Sequence, residues 1–80
     1  MIEVTARRDG RTLWTNIVMA TYHNADPQRE WAALVQSRYP DDQLWDQIPS
    51  RSQATTGQLV STAIRIVESA DACTITIEEI

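Results

Sequence analysis

A chain of 80 residues and 9.1 kDa has room for one domain, and folding removes roughly 60% of its extended-chain surface, enough for one modest core but not for a deep substrate cavity beside it. The 42% apolar and 22% charged composition is that of a globule rather than a disordered tail, and no apolar run approaches the ~20 residues of a membrane-spanning helix. Seven Arg, no Lys and eleven acids give a net charge of −4, which disfavours generic nucleic-acid binding and favours a partner with a basic surface.

The charge is uneven. Residues 1–40 carry five Arg against four acids, and residues 41–80 carry Arg51 and Arg65 against seven acids. Cys73 is alone, so no internal disulfide can form, and no basic-then-apolar opening segment suggests export. A reducing, cytoplasmic location is the expectation.

Residues 1–22 read as a β-hairpin. Ile2, Val4 and Ala6 alternate with Glu3, Thr5 and Arg7, and Asp9-Gly10 matches a type I′ turn, which needs positive φ at both central positions. Such a turn pairs residues whose numbers sum to 19. Ile2, Val4, Ala6, Leu13, Ile17 and Met19 then form a core face. Trp14 falls on the opposite face, near Thr5, Thr12, Asn16, Val18 and Tyr22.

Asp26-Pro27 reads as a cap followed by proline in the first turn, which predicts a helix from Pro27 to about Arg38 with Trp31, Leu34 and Val35 as its apolar stripe. Tyr39-Pro40 ends it, because a residue before proline avoids helical angles. Pro40, Asp41 and Asp42 then open a short second helix that buries Leu44, Trp45 and Ile48 and stops at Pro49.

Residues 49–54 are a polar loop, and Thr55 with Gln58 forms a capping box. The following segment places Leu59, Val60, Ala63, Ile64, Ile66, Val67 and Ala70 within about 160° of a helical wheel, with Thr62 among the polar residues opposite. The β-branched Ile64, Ile66 and Val67 leave a rival reading, in which Thr62 to Glu68 is a strand paired with the last one. The wheel separates the two classes and favours the helix. Cys73, Ile75 and Ile77 alternate with Thr74, Thr76 and Glu78 as a final strand. The expected fold is a single α+β domain: a two-layer sandwich, with a three-stranded antiparallel-type sheet carrying helices on one face, in the order β-β-α-α-α-β.

Catalytic chemistry finds little footing. His23 is the only histidine, and with Cys73 fifty residues away it makes neither a nucleophilic pair nor a zinc site. Gly10 and Gly57 cannot build a phosphate-cradling loop. Asp41/Asp42 and Glu78/Glu79 are chain neighbours rather than carboxylates converging across a cleft, so capping and solvation suit them better than acid–base work. No enzyme activity, cofactor or metal is expected.

Surfaces carry more. Trp14, with Thr5 and Tyr22 beside it, is a large aromatic on a sheet face that no helix is left to cover, as at protein interfaces. Trp45 with Asp41, Asp42 and Asp46 is a second, weaker candidate, because Trp45 also reads simply as core. Arg7, Arg8 and Arg11 surround the hairpin tip, where nucleic-acid contact is the alternative to a solvated turn.

In size, acidity and compact β-β-α-α-α-β order the chain resembles the small acidic inhibitors encoded by phages and mobile elements, of which anti-CRISPR proteins are the largest group. The resemblance implies a non-enzymatic, stoichiometric blocker that docks on a nuclease or CRISPR-associated surveillance complex and occludes its nucleic-acid-binding surface. It would set Asp41, Asp42, Asp46, Glu78 and Glu79 against basic grooves and use the Trp14 face as apolar anchor. Two alternatives stay open: a nucleic-acid-contacting module using the Arg tip, and a structural or antitoxin-like homodimer paired through the open sheet face.

Overall fold

The computed structural model describes residues Met1–Ile80. The chain forms β1 (Ile2–Arg8), β2 (Arg11–Val18), α1 (Pro27–Arg38), a 3-10 turn (Gln43–Gln47), α2 (Thr56–Asp71) and β3 (Thr74–Glu79). The three strands make one antiparallel sheet in the order β2-β1-β3, so β1 is central and both partners are edges. The α+β class and order match the expectation, except that the middle helix is a 3-10 turn. Asp42 caps that turn through its side chain, accepting from the Leu44 N–H at 2.9 Å.

Local signals set the helix ends. Asp26 caps α1 by accepting from the Gln28 N–H at 2.9 Å, with Pro27 in the first turn. Thr55 and Gln58 complete both halves of the capping box of α2. The segment is helical, not a strand, and buries Leu59, Val60, Ala63, Ile66 and Val67. Two wheel assignments change: Thr62 is buried and Ala70 is exposed. The β3 strand starts at Thr74, leaving Cys73 just ahead of it and packed against the core margin.

The hairpin departs from its expected register. The turn is as predicted, with Asp9 at φ 54° and Gly10 at φ 75°, the left-handed angles that a type I′ turn requires. Arg8 faces Arg11 and Arg7 faces Thr12, both summing to 19. A β-bulge then leaves Leu13 unpaired, so Ala6 faces Trp14, Val4 faces Asn16 and Ile2 faces Val18. One extra residue inverts everything beyond it. Trp14, Asn16 and Val18 therefore face the helices, while Ile17 turns to the open side at 51% exposure and Leu13 and Met19 are also exposed. The bulge exchanges Ile17 for Trp14 and Val18 in the core and gives the indole N–H a carboxylate partner.

Ile2, Val4 and Ala6 of β1, Val18 of β2 and Ile75 of β3 meet Trp31, Ala32, Leu59, Ala63, Ile66 and Val67 of the helices in one core. At 25 cal/mol per Å², burying each large side chain there contributes about 1.5–3 kcal/mol. Trp45 belongs to this core and donates its indole N–H to the Tyr39 carbonyl at 2.8 Å. Leu34 does not: its stripe mates Trp31 and Val35 are buried, but Leu34 is 54% exposed.

Candidate functional site

Cross-strand pairing places three rows on the sheet face away from the helices. Glu3 sits between Ile17 and Glu78, Thr5 between Thr15 and Thr76, and Arg7 between Thr12 and Thr74. Thr5, at the centre, is 8% exposed and walled in by its neighbours, so it offers little contact of its own. Glu3 and Glu78 are direct cross-strand neighbours of like charge, an arrangement that costs stability unless a cation answers it. Exposed Ile17 lies beside them, and Met1, Met19 and Ile80, also exposed, continue the strand ends there; the Ile80 N–H donates to the Met1 carbonyl at 3.1 Å.

The sequence pointed to this face, and Thr5 and Thr12 do lie on it, but its aromatic and apolar residues are not the expected ones. Trp14 lies on the helix side, half-buried, and donates its indole N–H to Asp71 Oδ2 at 3.3 Å. Tyr22 is not in the sheet, because β2 ends at Val18. It is 98% exposed in a loop that Glu30 holds by accepting from Asn24 Nδ2 at 2.7 Å, and it meets His23 edge to face at 5.3 Å between ring centroids.

The acids do not converge either. Asp46 lies in the 3-10 turn, which packs on α2 in the helical layer; Asp42 is occupied as its cap and Asp41 immediately precedes it. Glu78 shares the open face with Glu3, whereas Glu79 pairs opposite Ile2 and so takes the helix side of the sheet. Trp45 is buried and gives those aspartates no exposed aromatic.

Arg7, Arg8 and Arg11 are exposed at the hairpin tip, with Arg8 donating to the Asp71 carbonyl at 3.2 Å. Beside the tip, burial pushes the Cys73 thiol above its ordinary value. The Asp71 and Glu68 carboxylates add to the rise, and Arg8 opposes it. A thiol held in its neutral form is a poor nucleophile. No group of three or more His, Cys, Asp or Glu side chains stands close enough to hold a metal ion.

Two features escaped the sequence reading. A groove of about 430 Å³ opens between β2 and α1, lined by Trp14, Asn16 and Val18 of β2 and Trp31, Leu34 and Val35 of α1, with Arg38 and Asp71 as its charged lining residues. Its signal was the absence of any acidic or basic side chain from Thr12 to Tyr22. The second is Arg29, which forks to the carbonyls of Arg51 at 2.9 Å and Ala54 at 3.1 Å and ties the 49–54 loop to α1. A cation in a helix's first turn opposes the macrodipole, and such a residue needs a partner elsewhere. No protein-family model, no curated protein and no solved structure matches the chain.

Proposed function

We propose that the chain is a non-enzymatic protein-binding inhibitor that docks, through its uncovered sheet face, on a basic surface of a nucleic-acid-processing complex. The anti-CRISPR type is the class its whole-chain profile resembles. The observation that carries this proposal is the pairing of Glu3 with Glu78 beside exposed Ile17 on a face that no helix covers. Two adjacent carboxylates can stand where a complex expects nucleic-acid phosphates. Ile17 and the exposed methionines supply the apolar contact that such electrostatic docking lacks. Net charge of −4 steers the encounter towards basic grooves and makes it weaken with salt.

The test is competition. Purified nucleases and CRISPR surveillance complexes are incubated with the protein, and their binding to target DNA is measured by filter retention. The expected result is stoichiometric loss of DNA binding by at least one complex, reversed in the E3Q/E78Q double variant and weakened by Ile17→Ser. Unchanged DNA binding at excess protein across the panel, or an E3Q/E78Q variant as inhibitory as the parent, overturns the proposal.

The runner-up is direct nucleic-acid contact by Arg7, Arg8 and Arg11, all exposed at the free end of the hairpin. It predicts a salt-sensitive mobility shift that disappears when the three become Ala. Self-pairing through the open face is the third proposal, and a monomer in sedimentation at high concentration removes it.

A further inference from the structure

The helical layer is wider than the sheet beneath it. Two helices packed side by side, each 10–12 Å across with axes 8–10 Å apart, cover roughly 20 Å, whereas three strands at 4.8 Å spacing cover roughly 14 Å. Here α1 lies over β2 and α2 over β3. The groove of about 430 Å³ opens between α1 and the β2 margin, and its α1 wall comes from the stripe Trp31, Leu34, Val35 and Arg38. Leu34 belongs to that stripe and is still 54% exposed. It is an apolar residue of the helix's inward stripe that stays outside the core.

The two sheet edges are treated differently. On β3 the Ile75 N–H is already taken, donating to Glu68 Oε2 at 2.8 Å, and Glu78 and Glu79 add charge along that strand. These are devices that keep another strand away. On β2 the segment Trp14–Val18 pairs with β1 on one side only and carries no charge. It offers an unanswered row of backbone donors and acceptors next to an apolar trough.

We infer that the β2 edge and the groove under α1 form a docking site for one extended segment of a partner protein, which adds to the sheet as a fourth strand. Its backbone completes the ladder with Trp14–Val18, and its alternate side chains, apolar and uncharged, enter the groove against Leu34, Val35 and Trp14. The segment Trp14–Val18 carries no charge, and the two charged groups in the groove lining are of opposite sign, Arg38 and an Asp71 that already accepts from Trp14. This is matched by an uncharged strand and not by the basic surface proposed for the open face, so the inference does not rest on the inhibitor proposal. A second copy is the poorer occupant. Antiparallel pairing of two β2 edges sets both α1 helices on the same face, where the overhang brings them into the same space.

The probe is a library of capped nine-residue peptides, Thr at odd positions and Val, Ile, Leu, Phe or Trp at even ones, added to the ¹⁵N-labelled protein. The expected result is selection of library members that shift the amides of Trp14–Val18 and of Leu34 and Val35 and that slow hydrogen exchange of the outward-facing β2 amides. Leu34→Glu, at an exposed position that leaves the fold intact, abolishes the shifts, as does methylating the peptide nitrogens that face β2. No binding at millimolar peptide, shifts confined to β3 or the open face, or equal binding of the methylated peptide overturns the inference. A concentration-dependent dimer protecting the same β2 amides also overturns it, by making a second copy the occupant.

Discussion

Deleting Leu13 is the sharpest test of the hairpin. Removing one residue from a strand ordinarily turns every later side chain to the wrong face. Here Leu13 is the unpaired residue of the bulge, so its deletion keeps Arg7 against Thr12 and Ala6 against Trp14 and restores plain alternation. Leu13 is 39% exposed, so about 1–2 kcal/mol of burial is lost from a side chain whose full burial contributes about 1.5–3. Against that, one fewer residue must be ordered, which recovers about 1–2 kcal/mol. The net change is within about 1 kcal/mol of zero.

The control is deletion of Thr5. It moves Ile2 and Val4, 1% and 0% exposed, to the open face and drives Glu3 into the core. Two lost apolar burials cost about 3–6 kcal/mol before the carboxylate is counted, against a total stability of about 4–12 kcal/mol for a domain of 80 residues. Urea titration followed by tryptophan fluorescence separates the two outcomes, and cross-strand NOEs between Ala6 and Trp14 report the register. A Leu13 deletion that unfolds like the Thr5 deletion, or folds without the Ala6–Trp14 contact, refutes the bulge.

Trp14→Phe keeps a ring in place but removes the donor to Asp71, and is expected to cost about 1–2 kcal/mol by urea midpoint; an unchanged midpoint shows that the hydrogen bond contributes nothing. Arg29→Ala leaves the Arg51 and Ala54 carbonyls without their partner and is expected to cost about 2 kcal/mol, with amide protection lost first in residues 50–54. Arg29→Lys recovers less than half, because an ammonium cannot fork to both carbonyls, and full recovery contradicts the clamp. Cys73 has its folded pKa raised, chiefly by burial. Its stabilising contribution is therefore present below the unfolded value and lost as pH rises through the folded one. At pH 8 iodoacetamide should alkylate it more slowly than the same residue in urea, and an equal rate in both refutes the shift.

Where one segment's own chemistry decides its structure, the residues could be read directly. Asp26-Pro27 and Thr55 with Gln58 satisfy orphan N–H groups within their own first turns, and both helices begin where those caps stand. Asp9-Gly10 adopts two left-handed residues because they are locally favourable there, and the turn forms. The α2 stripe also sorts correctly, except at Ala70, which is exposed, and at Thr62, whose short side chain is buried at the edge of the apolar arc. The bulge is different in kind. Nothing local in Thr12, Leu13 and Trp14 asks for an extra residue. It goes with a contact 57 positions away, where Asp71 receives the indole N–H in a groove that Val67 also lines. A long-range contact of that kind overrides the period-2 pattern without leaving a mark in it.

The same gap explains the misplaced site. Plain counting from the Asp9-Gly10 turn puts Trp14 on the open face, and one unpaired residue reverses that for Trp14, Ile17 and Val18 and leaves Met19 exposed. The acids failed for a second reason: adjacency in sequence is not adjacency in space. Glu78 and Glu79 lie on opposite sides of one strand, and Asp41, Asp42 and Asp46 sit in the other layer. Yet the sequence did contain the arithmetic of the groove. Counting elements gives two long helices over three strands, and counting charges gives a neutral run from Thr12 to Tyr22 beside acid-rich β3. A layer of helices broader than its sheet must leave apolar surface over a strand edge. The uncharged edge is the one that has no Glu68 to cap it, so the exposure of Leu34 follows from the same imbalance that leaves β2 unpaired.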